Sequence, residues 1–275
     1  MLLGAHVGIG GGFTNAITAG EEIDADIIQV FTRNQMQWKA KPIEEEASAE
    51  FRKAFRASSL KAIVAHGSYL TNLASPEKKT LGMSIGAVVE ELGRCAQLGI
   101  GIYIFHPGSH VGKGDRKGEL TEAESIKNVL SRTDGMHVKL ALEIMAGQGN
   151  VICHDFGAIA NVLGMVGSER LGVCLDTCHL FAAGYDLRDG ESVSATMGQF
   201  KREIGMRRLL AVHLNDSKGD LGSRKDRHEN IGKGKIGREG FSALMHYPGL
   251  ARVPMALETP GGTKYRQEIA LLRKL

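Results

Sequence analysis

The sequence predicts a single (β/α)₈ TIM barrel whose chemistry lies at the carboxyl ends of the strands, and three observations carry that reading. Short apolar runs recur along the 275 residues, six of them end on an acidic residue or histidine, and glycine, proline or small polar residues follow. The runs are AIVAHGS (62–68), IGIYIFHPG (100–108), KLALEIMAG (139–147), LGVCLDTCH (171–179), LLAVHLND (209–216) and VPMALETP (253–260). Their polar ends are His66, His106, Glu143, Asp176, His213 and Glu258, separated by 40, 37, 33, 37 and 45 positions. One βα unit of a barrel takes roughly 30 residues, so the recurrence reads as one polar side chain planted at the end of each successive strand.

Two further runs, LLGAHVG (2–8) and ADIIQVFT (25–32), have the length and β-branched content of buried strands and bring the number to eight. The first crossover, 13–22, is short and glycine-flanked. IEEEASAEFRKAF (43–55) has apolar residues at helix spacing and acidic residues in its first turn. The next helix is expected to begin at Ser75-Pro76-Glu77, with Ser75 as the cap and Pro76 in the first helical position, and to end at Gly99. Helical patterns over 119–132, 154–166, 191–204, 239–246 and 264–274 complete the alternation. No proline-rich or serine-rich linker interrupts the pattern, so residues 1–275 are expected to form one catalytic domain.

Composition is ordinary for a globular protein, at 43% hydrophobic and 24% charged, with 36 glycines concentrated beside the strand ends. A formal charge of +3 says little until the cations are placed on a face. Cys95, Cys153, Cys174 and Cys178 form no C-x-x-C pair and read as free thiols in a reducing compartment, which points to the cytoplasm. The opening MLLGAHVG has no leader character, and no apolar run approaches the ~20 residues needed to span a bilayer, so no membrane partner is expected.

Imidazole and carboxylate are metal ligands, and side chains this polar are costly to bury without a partner. His179, Asp226 and His228 stand just beyond the strand ends and raise the donor set to nine. One zinc takes about four ligands, so the set implies two or three ions and a bridging carboxylate. Nitrogen and oxygen donors without thiolate suit Zn²⁺, with Mn²⁺ or Fe²⁺ as further options. Clustered cations suit phosphodiester hydrolysis, because they acidify water and neutralise phosphoryl oxygens and the leaving alkoxide. His6 is expected to support the ligands rather than join them, and Cys174 and Cys178 to pack. His110, His137, His154 and His246 fall in loops or helices and are expected to be solvated. Two glycine-rich basic stretches, 106–118 and 217–237, follow strands and so belong to the mouth face.

With these motifs laid out, the chain resembles the endonuclease IV family of zinc-dependent abasic-site endonucleases. The resemblance rests on FTRNQMQW (31–38), AHGSYLTNLA (65–74), HPGSH (106–110), LE followed by AGQG (142–149), CLDTCHLFAAGYD (174–186), HLNDSK (213–218), DRHENIGKGKIG (226–237) and LETP (257–260). It implies that His66, His106 and Glu143 hold one zinc, that Glu143, Asp176, His213 and Glu258 hold a second with Glu143 as the bridge, and that His179, Asp226 and His228 hold a third. It also implies incision of duplex DNA on the 5′ side of an abasic site, leaving a 3′-hydroxyl and a 5′-deoxyribose phosphate, with Glu143 or Glu258 positioning or deprotonating the nucleophile. Tyr69 and Leu70 stand where relatives insert an apolar wedge, and Arg33, Asn34, Lys113, Lys218, Arg227 and Lys233 are the expected DNA contacts. Two departures from the family are Met36, where relatives commonly carry arginine, and Ile144-Met145, which replaces a polar pair.

Two rivals share the motifs: a metal-dependent sugar isomerase or epimerase on the same barrel type, and a non-catalytic zinc-containing protein that binds damaged DNA. A sugar enzyme needs only one or two metals, so the third donor set and the basic loops favour DNA. A monomer is the expected state.

Overall fold

The chain alternates strand and helix because apolar runs of four to six residues, rich in valine and isoleucine, are followed by segments with helical periodicity. A computed structural model describes residues 1–262 and 264–275. Its strands are β1 (Leu2–His6), β2 (Ile27–Phe31), β3 (Ala62–His66), β4 (Ile102–Phe105), β5 (Lys139–Glu143), β6 (Leu171–Asp176), β7 (Leu209–Leu214), β8 (Asp216–Ser217), β9 (His228–Glu229) and β10 (Pro254–Leu257). The helices are α1 (Phe13–Glu22), α2 (Glu45–Ala57), α3 (Lys78–Leu98), α4 (Asp115–Arg132), α5 (Phe156–Val166), α6 (Thr177–Ala183), α7 (Gly190–Glu203), α8 (Gly237–His246) and α9 (Tyr265–Leu272). Eight of the strands close a parallel barrel in the order β1-β10-β7-β6-β5-β4-β3-β2, and β8 pairs antiparallel with β9 across a mouth loop. This is the (β/α)₈ architecture that the sequence predicts.

Side chains on a strand alternate faces, so a residue two positions before an inward-pointing one also points inward. Val64, Ile104, Ala141, Cys174 and Ala211 form a separate buried cluster, and each stands two residues before His66, His106, Glu143, Asp176 or His213. That cluster fills the barrel interior, and the polar residues form the next layer towards the mouth. Cys174 is therefore a packing residue, as expected. The larger apolar core lies between the strands and the surrounding helices.

Helix α3 begins at Lys78, two residues later than predicted, with Glu77 as its N-cap residue. Ser75 instead accepts a hydrogen bond from the Glu77 amide and closes a turn that already holds Pro76, so neither residue caps the helix. Gly99 ends α3 in left-handed conformation (φ 77°), as predicted. Helix α6 was not anticipated. Asp176 ends β6 and caps α6 by accepting a hydrogen bond from the His179 amide at 2.8 Å, so strand end and helix start coincide.

Glu122, on the core side of α4, is fully buried, and neither of its carboxyl oxygens has a hydrogen-bond partner among the described residues. Burial pushes its carboxyl well above the usual range, so the native state holds a proton that the unfolded chain releases above about pH 4.3. The folded value is the raised one, so the associated stability is complete below that pH and is lost as pH climbs towards the folded value. Glu122→Gln is expected to raise the urea midpoint more at pH 9 than at pH 5. Equal shifts at the two pH values would refute a protonated Glu122. No helix among the described residues is long and apolar enough to cross a membrane.

Candidate metal centre

The structure brings all nine predicted donors to the barrel mouth, where their ligand atoms fall into overlapping groups within 4.8 Å. Glu143, the last residue of β5, stands at the centre and is 1% exposed. Its Oε2 lies 3.1 Å from His66 Nε2 and 3.5 Å from His106 Nε2. Its Oε1 faces the opposite way, 3.2 Å from His213 Nδ1. The two oxygens thus serve two donor sets, His66–His106–Glu143 and Glu143–Asp176–His213, and Glu258 Oε2 approaches His213 Nδ1 at 3.4 Å. A third set, His179, Asp226 and His228, is closed by Asp226, whose two oxygens lie 3.2 Å from His179 Nε2 and from His228 Nε2. Cys178 neighbours Asp176 and His228, and its thiol is pushed up to about 12 by burial, so it contributes packing, not thiolate.

The outward nitrogens of four imidazoles are held by oxygen acceptors. His66 Nδ1 donates to the Gly67 carbonyl at 2.9 Å, His179 Nδ1 to the Ile144 carbonyl at 2.9 Å and His228 Nδ1 to the Glu258 carbonyl at 3.3 Å. His213 is turned the other way, its Nε2 set 2.8 Å from Gln29 Oε1. A carbonyl can only accept, so in the first three rings Nδ1 carries a proton, which leaves Nε2 as the nitrogen a cation would take. Nε2 of His179 and of His228 is buried and has no hydrogen-bond partner among the described residues. An orphaned buried imidazole nitrogen facing carboxylates is what a cation between them would satisfy, so these residues fit a metal.

The electrostatics agree. Burial opposes the charged form of Glu143, yet the charge of the neighbouring His213 and His106 rings outweighs it and holds the carboxyl well below the usual range. Burial likewise disfavours charge on Glu258, but His213, His6 and His66 hold it low. His228 is raised to about 9 because Asp176 and Asp226 outweigh its burial, whereas burial wins at His106 and lowers it to about 4. Without a cation the carboxylates draw protons onto neighbouring rings, and a bound cation would take the place of those protons.

Sequence reasoning passed over the residues that hold the ligands. Asn215 donates to Asp176 Oδ2 at 2.7 Å and accepts from the Glu258 amide at 3.0 Å. Asp216 accepts from the Gly234 and Ile236 amides, each at 2.9 Å, and so ties the 217–237 loop to the end of β7. A Cβ on Gly234 would lie 2.4 Å from the Ser217 carbonyl oxygen, which is why that position is glycine. The HLNDSK motif contains both residues, but only its His213 and Lys218 are singled out from the sequence. His6 is 3.5 Å from Glu258, in the supporting position expected. Ile144 and Met145 are buried, and the carbonyl of Ile144 serves His179, so the loss of a polar side chain there leaves that support in place.

Most predicted DNA contacts lie on exposed mouth loops: Asn34, Lys113, Lys218, Arg227 and Lys233 are exposed, and Leu70 is half-buried. Tyr69 is 52% exposed and stands over the site, its ring centroid 5.8 Å from His66 and 5.6 Å from His106. Met36 is 63% exposed on a turn closed by its amide and Asn34 Oδ1. Arg33 departs from expectation. It is buried, with Nε 3.1 Å from Glu91 and NH1 3.2 Å from the Trp38 carbonyl, so its guanidinium anchors the 34–38 loop and is not presented to a phosphate. Desolvation raises the Glu91 carboxyl to about 7 despite that guanidinium. His110 is also less solvated than predicted: its Nδ1 accepts from the Gly114 amide at 2.9 Å and fixes the 106–114 loop.

The fold defines a class, the xylose isomerase-like TIM barrel, and the family model of that description matches residues 17–275. The chain is 42% identical over 276 residues to a probable endonuclease 4 of Chloroflexus aurantiacus, covering 99% of this chain and 97% of that protein. It is 43% identical to an apurinic-apyrimidinic endonuclease of Caenorhabditis elegans, covering 98% and 69%. Among solved structures, endonuclease IV from Thermus thermophilus superposes with a TM-score of 0.88 at 29% identity over the whole of both chains. D-Psicose 3-epimerase from Clostridium cellulolyticum, at 13% identity and a TM-score of 0.70, shares the fold alone. The chain belongs to the endonuclease 4 family.

Proposed function

We propose that this protein is a phosphodiester hydrolase of DNA repair that incises duplex DNA 5′ to abasic nucleotides, leaving a 3′-hydroxyl and a 5′-deoxyribose phosphate. The observation that carries this reading is Glu143, whose two oxygens face separate donor sets inside one constellation of nine ligands. His66, His106 and Glu143 would hold one zinc, Glu143, Asp176, His213 and Glu258 a second, and His179, Asp226 and His228 a third. When bound, clustered divalent cations acidify water and neutralise the phosphoryl oxygens and the leaving alkoxide.

The chain's own residues do the rest. Glu143 is sealed at 1% exposure with both oxygens engaged, whereas the Glu258 side chain is 16% exposed at the mouth. Glu258, the more exposed of the two, is therefore the one placed to orient the attacking water at the mouth. Tyr69, with Leu70 beside it, fills the gap left by the missing base, at an unstacking cost that is smallest where the base is already gone. Lys113, Lys218, Arg227 and Lys233 neutralise phosphates around the rim, and the Asn34 amide hydrogen-bonds to one. The whole chain acts as one domain, monomeric and cytoplasmic. A sugar epimerase has no use for a third donor set or for lysines around the mouth, and this favours DNA.

The zinc-loaded protein is expected to nick a duplex carrying a single tetrahydrofuran residue at the phosphate 5′ to it, leaving an end that a polymerase extends. A duplex left intact under metal-replete conditions would decide for one of the rival activities.

A further inference from the structure

Gln29 is a fully buried amide in the otherwise apolar strand β2, paired in register with His6 of β1. Its Oε1 lies 2.8 Å from His213 Nε2, and its Nε2 lies 2.6 Å from Glu258 Oε1 and 3.0 Å from His6 Nδ1. We propose that Gln29 is a positioning residue that fixes which nitrogen of His213 and which oxygen of Glu258 are presented to the cations; the proposal rests on the metal reading above.

The argument is one of donor counting. A glutamine amide has one acceptor oxygen and one nitrogen with two hydrogens, and here all three capacities are matched. With Oε1 against His213, the ring must carry its proton on Nε2, which leaves the Nδ1 lone pair directed at Glu143 Oε1 (3.2 Å) and Glu258 Oε2 (3.4 Å). The amide nitrogen then gives one hydrogen to Glu258 Oε1, which turns Oε2 inward, and the other to His6 Nδ1.

The inverted amide fails on every count. It would set an NH₂ against His213 Nε2, force the proton onto Nδ1 and remove that nitrogen as a ligand. It would also aim a carbonyl oxygen at the Glu258 carboxylate. Among the four imidazoles with oxygen-held outward nitrogens, His213 alone is held through Nε2, and alone by a side chain instead of a backbone carbonyl. Its tautomer therefore depends on the residue at position 29. Metal-site histidines rely on such partners, and losing one typically costs 10- to 100-fold in metal affinity or activity.

The test uses full-length zinc-loaded protein. Nitrogen-15 imidazole spectra of the wild type should show His213 protonated at Nε2; a proton on Nδ1 overturns the proposal without any variant. Gln29→Met keeps the length of the side chain and removes its hydrogen bonds. It should lose that signature, release zinc to a chelator at least about tenfold faster, and lower kcat on an abasic duplex by a similar factor with KM within about twofold. Wild-type zinc release and kcat in Gln29→Met overturn this inference and leave the metal reading intact. A wild-type protein that takes up no zinc overturns both.

Discussion

Glu143→Gln is expected to lower turnover on an abasic duplex by at least the roughly 10²–10³-fold that removing one preorganised electrostatic group costs an enzyme, and to lower bound metal with it. The double loss follows from geometry. Glu143 Oε2 lies with His66 and His106, and Oε1 with His213, so one neutral amide weakens two ligand sets at once. The substitution also removes the anion that draws charge onto surrounding imidazoles, and it puts an NH₂ where one of the two sets needs an acceptor. Metal content by mass spectrometry together with single-turnover nicking measures both effects. Full metal with lost activity would make Glu143 a base and not a bridge, and unaltered turnover would dismiss both roles.

Tyr69→Ala is the second large effect, and it should separate lesion binding from metal binding. The ring is half exposed, packs edge-on against Phe31 at 5.5 Å between centroids, and covers His66 and His106 without bonding to either of them. Loss of one stacking aromatic costs ~1–3 kcal/mol, which is about five- to 150-fold in affinity for the abasic duplex. Zinc content should stay at the wild-type value, because Tyr69 is not among the donors. Equal affinity for lesion and intact duplex in the wild type, or unchanged affinity in the variant, would remove Tyr69 from the contact surface.

The barrel was legible because two periods are written into the chain: polar ends recur at the length of a βα unit, and residues two positions earlier are apolar and small enough to fill the interior. The donors were legible because charge at the end of an apolar strand is costly unless something pairs with it. Features that depend on distant partners were less visible. Arg33 reads as a loop cation until Glu91, 58 residues later, comes to lie beside it on α3. Gln29 interrupts ADIIQVFT with an amide, a signal whose meaning needs His213 and Glu258 from across the barrel. Helix α6 was hidden because Asp176 is at once strand end, predicted ligand and helix cap. Glu122 gave no signal, since an acid on a helix is expected to face water.

The central claim is that nine donors from separate strands and loops gather several cations around Glu143. Anomalous diffraction at the zinc edge from crystals of the loaded protein tests it most directly. The account predicts three peaks: one shared by His66, His106 and Glu143, one by Glu143, Asp176, His213 and Glu258, and one by His179, Asp226 and His228. A single peak, peaks away from the mouth, or a Glu143 carboxylate touching only one ion would contradict it.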